Sequence, residues 1–423
     1  MKAGEAAKGT EGTANPAAAR VLLLVPARTY RAADFLLAAD RLGLDLVVGS
    51  DGALPLGGRP VVHADPRDPC GSADRLVAAA GPVDAVVAAD TPMLVLAATV
   101  AGRMGLAHNP VEAVIAAIDK AQQRRLWAGA ALPQPRFRVV PAAASAEVLR
   151  ETAAQVGFPC VVKAVSLSAS QGILRADDPA GAVAAAGQIR RVLATAGRPG
   201  TEPVLIEEYV PGQELSIDGL LHDGGLTVTA VFDKPGSPEG PTFEETVLIT
   251  PSRLPGHVLS AAVRTAGQAA RALGLRYGPI HAELRIDDRV GQAGPAMLEL
   301  AARSIGGLCS RALRFPGGQS LEELVLANAL GRHMSSRLVP RTSGVLMLPV
   351  ERPGVLRAVE GRAEAAAVPG ITGLTITIPL GQPVRPLPEG DRYLGFVFAE
   401  GDNHQEVERA LSAARGRLRV VIQ

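Results

Sequence analysis

Two periods run through the chain, and their order predicts its architecture. "RVLLLVPA", "RAADFLLAADRLG" and "LDLVVGSD" read as strand, amphipathic helix and strand, and "DAVVAAD" with "TPMLVLAATVAGRMG" repeats the strand–helix order. That alternation predicts a parallel α/β domain over residues 20–115. It carries no G-x-G-x-x-G, so a docking platform is expected there rather than a dinucleotide site. "NPVEAVIAAIDKAQQRRLWAGA" reads as one helix, opened by Asn109 and Pro110 and stopped by the prolines of "ALPQPRF". Beyond it come a helix ("SAEVLRETAAQVG"), a strand ("PCVVKAV"), a small-residue loop ("SLSASQGI"), a helix over about 178–196 and a strand ("PVLIEEYV"). A turn, a hairpin ("LSIDGLLHDGGLTVTAVFDK"), the loop "PGSPEGPTFEET" and a helix over 256–273 follow. From about 343 the pattern is that of a small α+β domain with Pro/Gly-rich joints. The expected organisation is a disordered tail (1–19), an N-terminal domain (20–115), a central domain (116–340) and a C-terminal domain (341–423).

The stretch "HAELRIDDRVGQAGPAMLELAARS", residues 281–304, reads as a hairpin. His281, Glu283 and Arg285 alternate with Ala282, Leu284 and Ile286, and Glu299, Ala301 and Arg303 alternate with Leu298, Leu300 and Ala302. A turn centred near Gly291 puts Glu283 opposite Glu299. Like charges directly across a strand pair destabilise it, so the pairing asks for a cation. Two facing carboxylates suit Mg²⁺, which binds through one or two carboxylates together with substrate phosphates. A salt bridge to Arg285 is the other resolution. Arg303, further along the Glu299 face, is suited to neutralising a transferring phosphoryl group.

Composition narrows the class. Hydrophobic residues make up 47% of the 423, and the formal net charge is +1, so no bulk charge draws the chain to nucleic acid or membrane. Three widely spaced cysteines without C-x-x-C argue against a disulfide framework or a zinc site and fit a reducing cytoplasm. The first 19 residues lack the apolar core of a signal peptide, and "VLLLV" is far too short to span a bilayer. Of 43 basic residues only five are lysine, and three of those are internal: Lys120, Lys163 and Lys234. Chance accounts for that, or else those positions need a compact ammonium rather than a planar fork.

Other segments carry weaker chemistry. In "VVKAVSLSASQGI", Lys163 ends a strand ahead of Ser166, Ser168, Ser170 and Gly172, a group able to hold phosphates through an ammonium and backbone N–H groups. A serine-rich surface loop has the same composition. "VLIEEYVPGQELS" puts Glu207, Glu208, Tyr209 and Glu214 beside an apolar strand end, as a purine ring and ribose require; a solvated turn is the alternative. Gly306 and Gly307 precede an expected helix whose free N–H groups suit a carboxylate or acyl phosphate, or they form a mere cap.

In order and spacing, Lys120, "VVKA" with its loop, "EEYVPGQE", "HAELR" and "LELAARSIGG" resemble the ATP-grasp superfamily, from about residue 20 to the C-terminus. "PTFEETVLITPSRLP", the hairpin and the 343–423 module look most like the L-amino acid ligases that make dipeptides. The resemblance implies an ATP-grasp fold: a parallel α/β pre-ATP-grasp domain, a central domain whose two lobes hold ATP and Mg²⁺ between them, and a small C-terminal α+β domain. It implies that Lys120 and Lys163 contact ATP phosphates under the 166–172 loop, with Ser168, Ser170 and Gly172 as its lid. Glu207 and Val210 would take adenine, with Glu208 and Tyr209 between them, and Glu214 the ribose. Glu283 and Glu299 would bind Mg²⁺, or Mn²⁺ in its place. Arg303 would face the γ-phosphate and acyl phosphate, and Glu244 or Glu245 the substrate amino group. His281, Gly306 and Gly307 complete the expected substrate contacts. Many relatives carry Asn at the position of Ala301, where it helps hold a second metal, so the expectation extends to the first Mg²⁺ only.

The implied activity is amide-bond formation through an acyl phosphate, with a carboxylate and an amine as the small-molecule partners. A carboxylase-like or purine-pathway ATP-grasp enzyme, or a nucleotide-binding protein without turnover, is the alternative. Neither nucleic acid nor membrane is expected as a partner; a homodimer is compatible, being frequent in the family resembled.

Overall fold

The computed structural model describes residues 18–54, 60–198, 200–236, 239–287, 289 and 294–423. The expected tail, apart from residues 18 and 19, and the hairpin tip around Gly291 lie outside the described residues.

The N-terminal segment folds as a four-stranded parallel sheet in the order Val61–His63, Asp45–Ser50, Arg20–Val25, Ala85–Ala88. Its continuous apolar strand is buried on both faces, as parallel strands require. Val21, Leu23 and Val25 enter one core with Phe35 of the helix Ala32–Arg41. Leu22 and Leu24 enter another with Leu76 and Leu96 of the helices Pro69–Ala80 and Leu94–Arg103. The first core also takes in Leu220, Phe232, Val345 and Phe396 from the rest of the chain, so this sheet docks through it.

The segment expected as one helix is two, Val111–Ile118 and Lys120–Gly129. Asp119 leaves helical geometry (φ −96°, ψ 106°), and its carboxylate accepts from the N–H groups of Ala121 and Gln122. An aspartate can serve as cap as well as interior residue, and here capping wins. The break puts Lys120 in a first turn, with its own N–H donated to Val165 O at 3.0 Å.

Two antiparallel sheets face each other across the central region. The smaller runs Phe137–Val140, Val204–Glu208, Cys160–Ala164, Ile173–Ala176, over a core of Val162, Ile189 and Ile206. The larger has eight strands: Gly294–Ala301, Gly278–Asp287, Gln213–His222, Gly225–Asp233, Val247–Thr250, Thr342–Leu348, Gly395–Gly401, Ile371–Ile376. The helix Gly256–Ala272 lays the small side chains Ala262, Ala266, Ala269 and Ala270 on the hairpin end of this sheet, where Trp127 is wholly buried. Strand Thr342–Leu348 pairs with Val247–Thr250, so the C-terminal strands extend the same sheet. Among the described residues, no helix is long and apolar enough to cross a membrane.

Candidate active site

Glu283 and Glu299 are register partners across the hairpin. The register then slips: Leu284 pairs with Met297, leaving Leu298 as the extra residue of a bulge. A bulge re-aims side chains. Strict alternation would turn Leu298 inward beside Leu300, whereas Leu298 and Glu299 both line the cleft between the sheets. That cleft is narrow, with a cavity of about 60 Å³, and opens to solvent. Val161 and Ile173 of the small sheet form its apolar wall with Leu298.

Strand Cys160–Ala164 brings in Lys163, and strand Val204–Glu208 brings in Glu207 and Glu208. Glu207 is 1% exposed; Lys163 Nζ lies 2.7 Å from its Oε2 and Arg124 Nε 2.5 Å from its Oε1. Burial alone would raise this carboxyl, but Arg124 and Lys163 bring it down to about 2. With both oxygens engaged, the Glu207 side chain holds Lys163 in place. Glu208 is held by Arg136 and Arg289. The Tyr209 ring is flanked by the guanidiniums of Arg175 (4.8 Å) and Arg285 (5.0 Å) and stacks on Phe243.

Lys120 Nζ lies 3.0 Å from Glu299 Oε1 and donates to Leu167 O at 2.5 Å. Arg285 does not resolve the Glu283–Glu299 repulsion; its Nε goes to Glu214 Oε2 and its Nη1 to Val210 O, both at 2.9 Å. Lys234 instead reaches toward Glu283 (3.6 Å), lies 2.8 Å from Glu214 Oε1 and contacts Glu245. Burial opposes its charge, yet Glu214, Glu245 and Glu283 raise it well above an ordinary lysine. Glu245 is pushed up by burial and by Glu283 and Glu214, against Lys234. Burial would also raise Glu283, but Lys234 and His281 hold it well below the usual carboxylate range. His281 has Nδ1 3.0 Å from Asp218 and Nε2 3.4 Å from Glu283. Burial disfavours its charge, and Asp218 with Glu283 outweighs that to bring it up to about 9. The imidazolium therefore positions Glu283, with both ring nitrogens on carboxylates.

The donor set fits a hard cation at one point better than at another. Glu214, Glu245 and Glu283 offer oxygens within 4.8 Å of one another, but the Lys234 ammonium already stands among all three. Glu283 and Glu299 each keep about a quarter of the side chain exposed (25% and 26%) and present only oxygen donors, as Mg²⁺ requires.

The remaining expected residues are placed unevenly. Ser170 lines the cleft, at a left-handed φ of 57°, while Ser168 is exposed. The Gly172 N–H is donated to Pro388 O at 3.1 Å, and Gln171 Nε2 to Glu389 O, strapping the loop to the C-terminal segment. Glu244 lies outside this cleft, in a smaller cavity with Ala169, Arg385, Arg392 and Tyr393, and burial together with Glu351 raises its carboxyl. Arg303 turns to the N-terminal sheet: its Nε donates to Thr91 Oγ1 at 3.1 Å and lies 3.7 Å from Asp90. The helix expected after Gly306 and Gly307 is only a four-residue 3₁₀ turn, Cys309–Ala312. It has no long helix dipole to offer an anion; Gly307 instead makes room for Phe396, 2.6 Å from where a Cβ would stand, at a φ of +63°. Arg124, Asp218, Phe243 and the role of Lys234 were not read from sequence. Scarcity of lysine was the one available signal: all three internal lysines lie on carboxylates of this cleft.

Two antiparallel sheets clasping a cleft lined by lysines and facing glutamates define a class, and the chain belongs to the ATP-grasp family of carboxylate–amine ligases. Residues 156–312 match the ATP-grasp domain model, and 346–423 match L-amino acid ligase C-terminal domain 2. A D-alanine–D-alanine ligase of Aromatoleum aromaticum is 30% identical over 227 residues, 49% of this chain and 69% of that protein. Carnosine synthase 1 of Gallus gallus is 34% identical over 224 residues, 49% of this chain. The chain spans only 24% of that synthase's length, less than two thirds. The crystal structure of an L-amino acid ligase from Bacillus licheniformis superposes with a TM-score of 0.78 at 25% identity, covering 95% of this chain and 98% of that one.

Proposed function

We propose that the protein is an ATP-dependent ligase that joins a carboxylate to an amine, most simply two amino acids into a dipeptide. A carboxylate oxygen attacks the γ-phosphorus of ATP, and ADP leaves. The amine nitrogen then attacks the acyl carbon, and phosphate leaves with the amine proton. Such chemistry rests on positioning and charge neutralisation rather than on a protein nucleophile.

In this reading Lys163 and Lys120 exchange their contacts with Glu207 and Glu299 for phosphate oxygens. Val161, Ile173 and Leu298 take the adenine ring, Glu214 the ribose, and Glu245 the substrate amino group. Glu283 and Glu299 hold Mg²⁺, or Mn²⁺, which supplies neutralisation of phosphate charge. His281 and Asp218 keep Glu283 ionised and aimed. Arg303 faces the acyl phosphate once it leaves Asp90 and Thr91. Small molecules are the partners we propose, and a cytoplasmic location accords with three free cysteines.

The observation that carries the reading is the in-register Glu283–Glu299 pair opening into the same cleft as Lys163. The test is ADP release over a matrix of amino-acid pairs, with mass spectrometry of the products. Amino-acid-dependent ADP and a matching amide are expected; ATP binding without either result refutes the proposal.

A further inference from the structure

Among the described residues, six lysines and arginines are buried, and five of them lie on carboxylates. Lys120 is on Glu299, Arg124 and Lys163 on Glu207, and Lys234 and Arg285 on Glu214. The sixth is Arg31, 3% exposed, which forms no ion pair with a described residue. It stands just before the helix Ala32–Arg41, with Nη2 donating to Ser304 Oγ at 2.5 Å. Its Nη1 is buried without an acceptor.

Among the described residues, the groups around it supply no counter-ion. Burial pushes the Tyr30 hydroxyl up to about 12 and raises the Cys309 thiol further from its ordinary value, so both stay neutral near pH 7. Asp90, in the same corner, faces Arg303. A buried guanidinium with no anion is costly, and its planar fork matches a carboxylate. The corner lies where the N-terminal domain meets the loop that continues from Glu299 through Arg303 and Ser304. Ser304, which accepts from Arg31, is the chain neighbour of Arg303.

Building on the ligase reading, we propose that Arg31 receives the carboxylate of an amino-acid substrate that is not activated. Two sources share that chemistry: the α-carboxylate of the amine donor, or a side-chain carboxylate of the activated acid. Either way, Arg31 sets specificity by requiring a second acidic group, and a substrate pair without one is used poorly.

The test compares wild type, Arg31→Gln and Arg31→Lys. The probes are L-alanine against L-alaninamide as amine, and L-glutamate against L-glutamine as acid. Arg31→Gln should raise the KM of the acid-bearing probe 30-fold or more, leave the KM for ATP within twofold, and abolish the preference over the amide. Arg31→Lys should restore part of it. Loss of the alanine preference identifies the amine donor's α-carboxylate, and loss of the glutamate preference the side chain. Unchanged KM values in Arg31→Gln, with wild type active, overturn the Arg31 assignment alone. Absence of ADP release by wild type across the whole matrix overturns the ligase reading instead. Thermal shift by the same probes then reads Arg31 directly: a rise in Tm confined to wild type supports the assignment, and an equal or absent rise overturns it. Folding is checked with Arg31→Met, whose ligand-free Tm should equal or exceed that of wild type; a fall of 5 °C or more marks Arg31 as structural and overturns the proposal.

Discussion

In the cleft between the sheets, Lys163 and Arg124 share Glu207, Lys120 covers Glu299, and Lys234 stands among three carboxylates. Where the N-terminal domain meets the Ser304 loop, Arg31 is as deeply buried; it donates to a serine hydroxyl and lies over the Phe35 ring, with no carboxylate partner among the described residues. The first arrangement holds its own charges in position before any ligand arrives, so on the proposed reading phosphates and metal would meet oriented groups. The second leaves one charge for the ligand to match. Stability and recognition are thus separated: removing a cation from the fully buried Glu207 cluster costs folding energy, and removing Arg31 costs specificity.

Four substitutions bear on that contrast. The largest effect is expected at the metal pair. Glu299→Gln should reduce metal-dependent ADP formation by about 10²–10³-fold or more, the scale on which a single preorganised electrostatic group acts. Its Tm should stay near wild type, since the side chain is partly exposed; undiminished turnover would refute the metal assignment. Next comes Arg124→Met, which strips one cation from a carboxylate buried beside Lys163. Breaking a buried pair from one side costs about 3–5 kcal/mol, measurable as a lower urea midpoint. Adding Glu207→Gln should recover part of that loss, and a strictly additive double variant would argue against the pairing.

The same carboxylate sets an acid limit. Its folded-state pKa, about 2, lies below the ordinary 4.5, so its stabilisation is complete above pH 4.5 and fades as pH falls toward 2. Glu207→Gln should flatten the stability profile between those values, as followed by urea unfolding at each pH. The smallest effect is expected from Glu245→Ala, which should raise the KM for the amine-bearing substrate about tenfold and that for ATP much less. A shift confined to ATP would assign Glu245 to the nucleotide end.

Much of this was legible in the residue pattern. Period-two alternation put Glu283 across from Glu299, and the register agrees, because a hairpin's pairing follows from its turn and its buried face. The bulge at Leu298 was not legible: one extra residue leaves the apolar pattern nearly unchanged while turning a side chain from core to cleft. The break at Asp119 was missed for a similar reason, since the segment is helical on both sides of a residue able to cap. Glu207 and Glu214 were read as groups free for adenine and ribose. Arg124 and Lys234 come to them from 83 and 20 positions away, and no local pattern encodes those encounters.

By itself, the order of strands and helices predicted the N-terminal parallel sheet and the 281–304 hairpin, the resemblance of its motifs pointed to the ATP-grasp architecture, and the alternation of the hairpin put Glu283 across from Glu299. These are local properties, set by backbone period and side-chain type, and they survive without knowledge of the fold. Which cation sits on which carboxylate, where Arg303 turns, and that Arg31 has no carboxylate partner among the described residues were decided only in three dimensions. Charge pairing depends on distance and burial, and both are set when the two sheets close on the cleft and the N-terminal domain packs against the larger one.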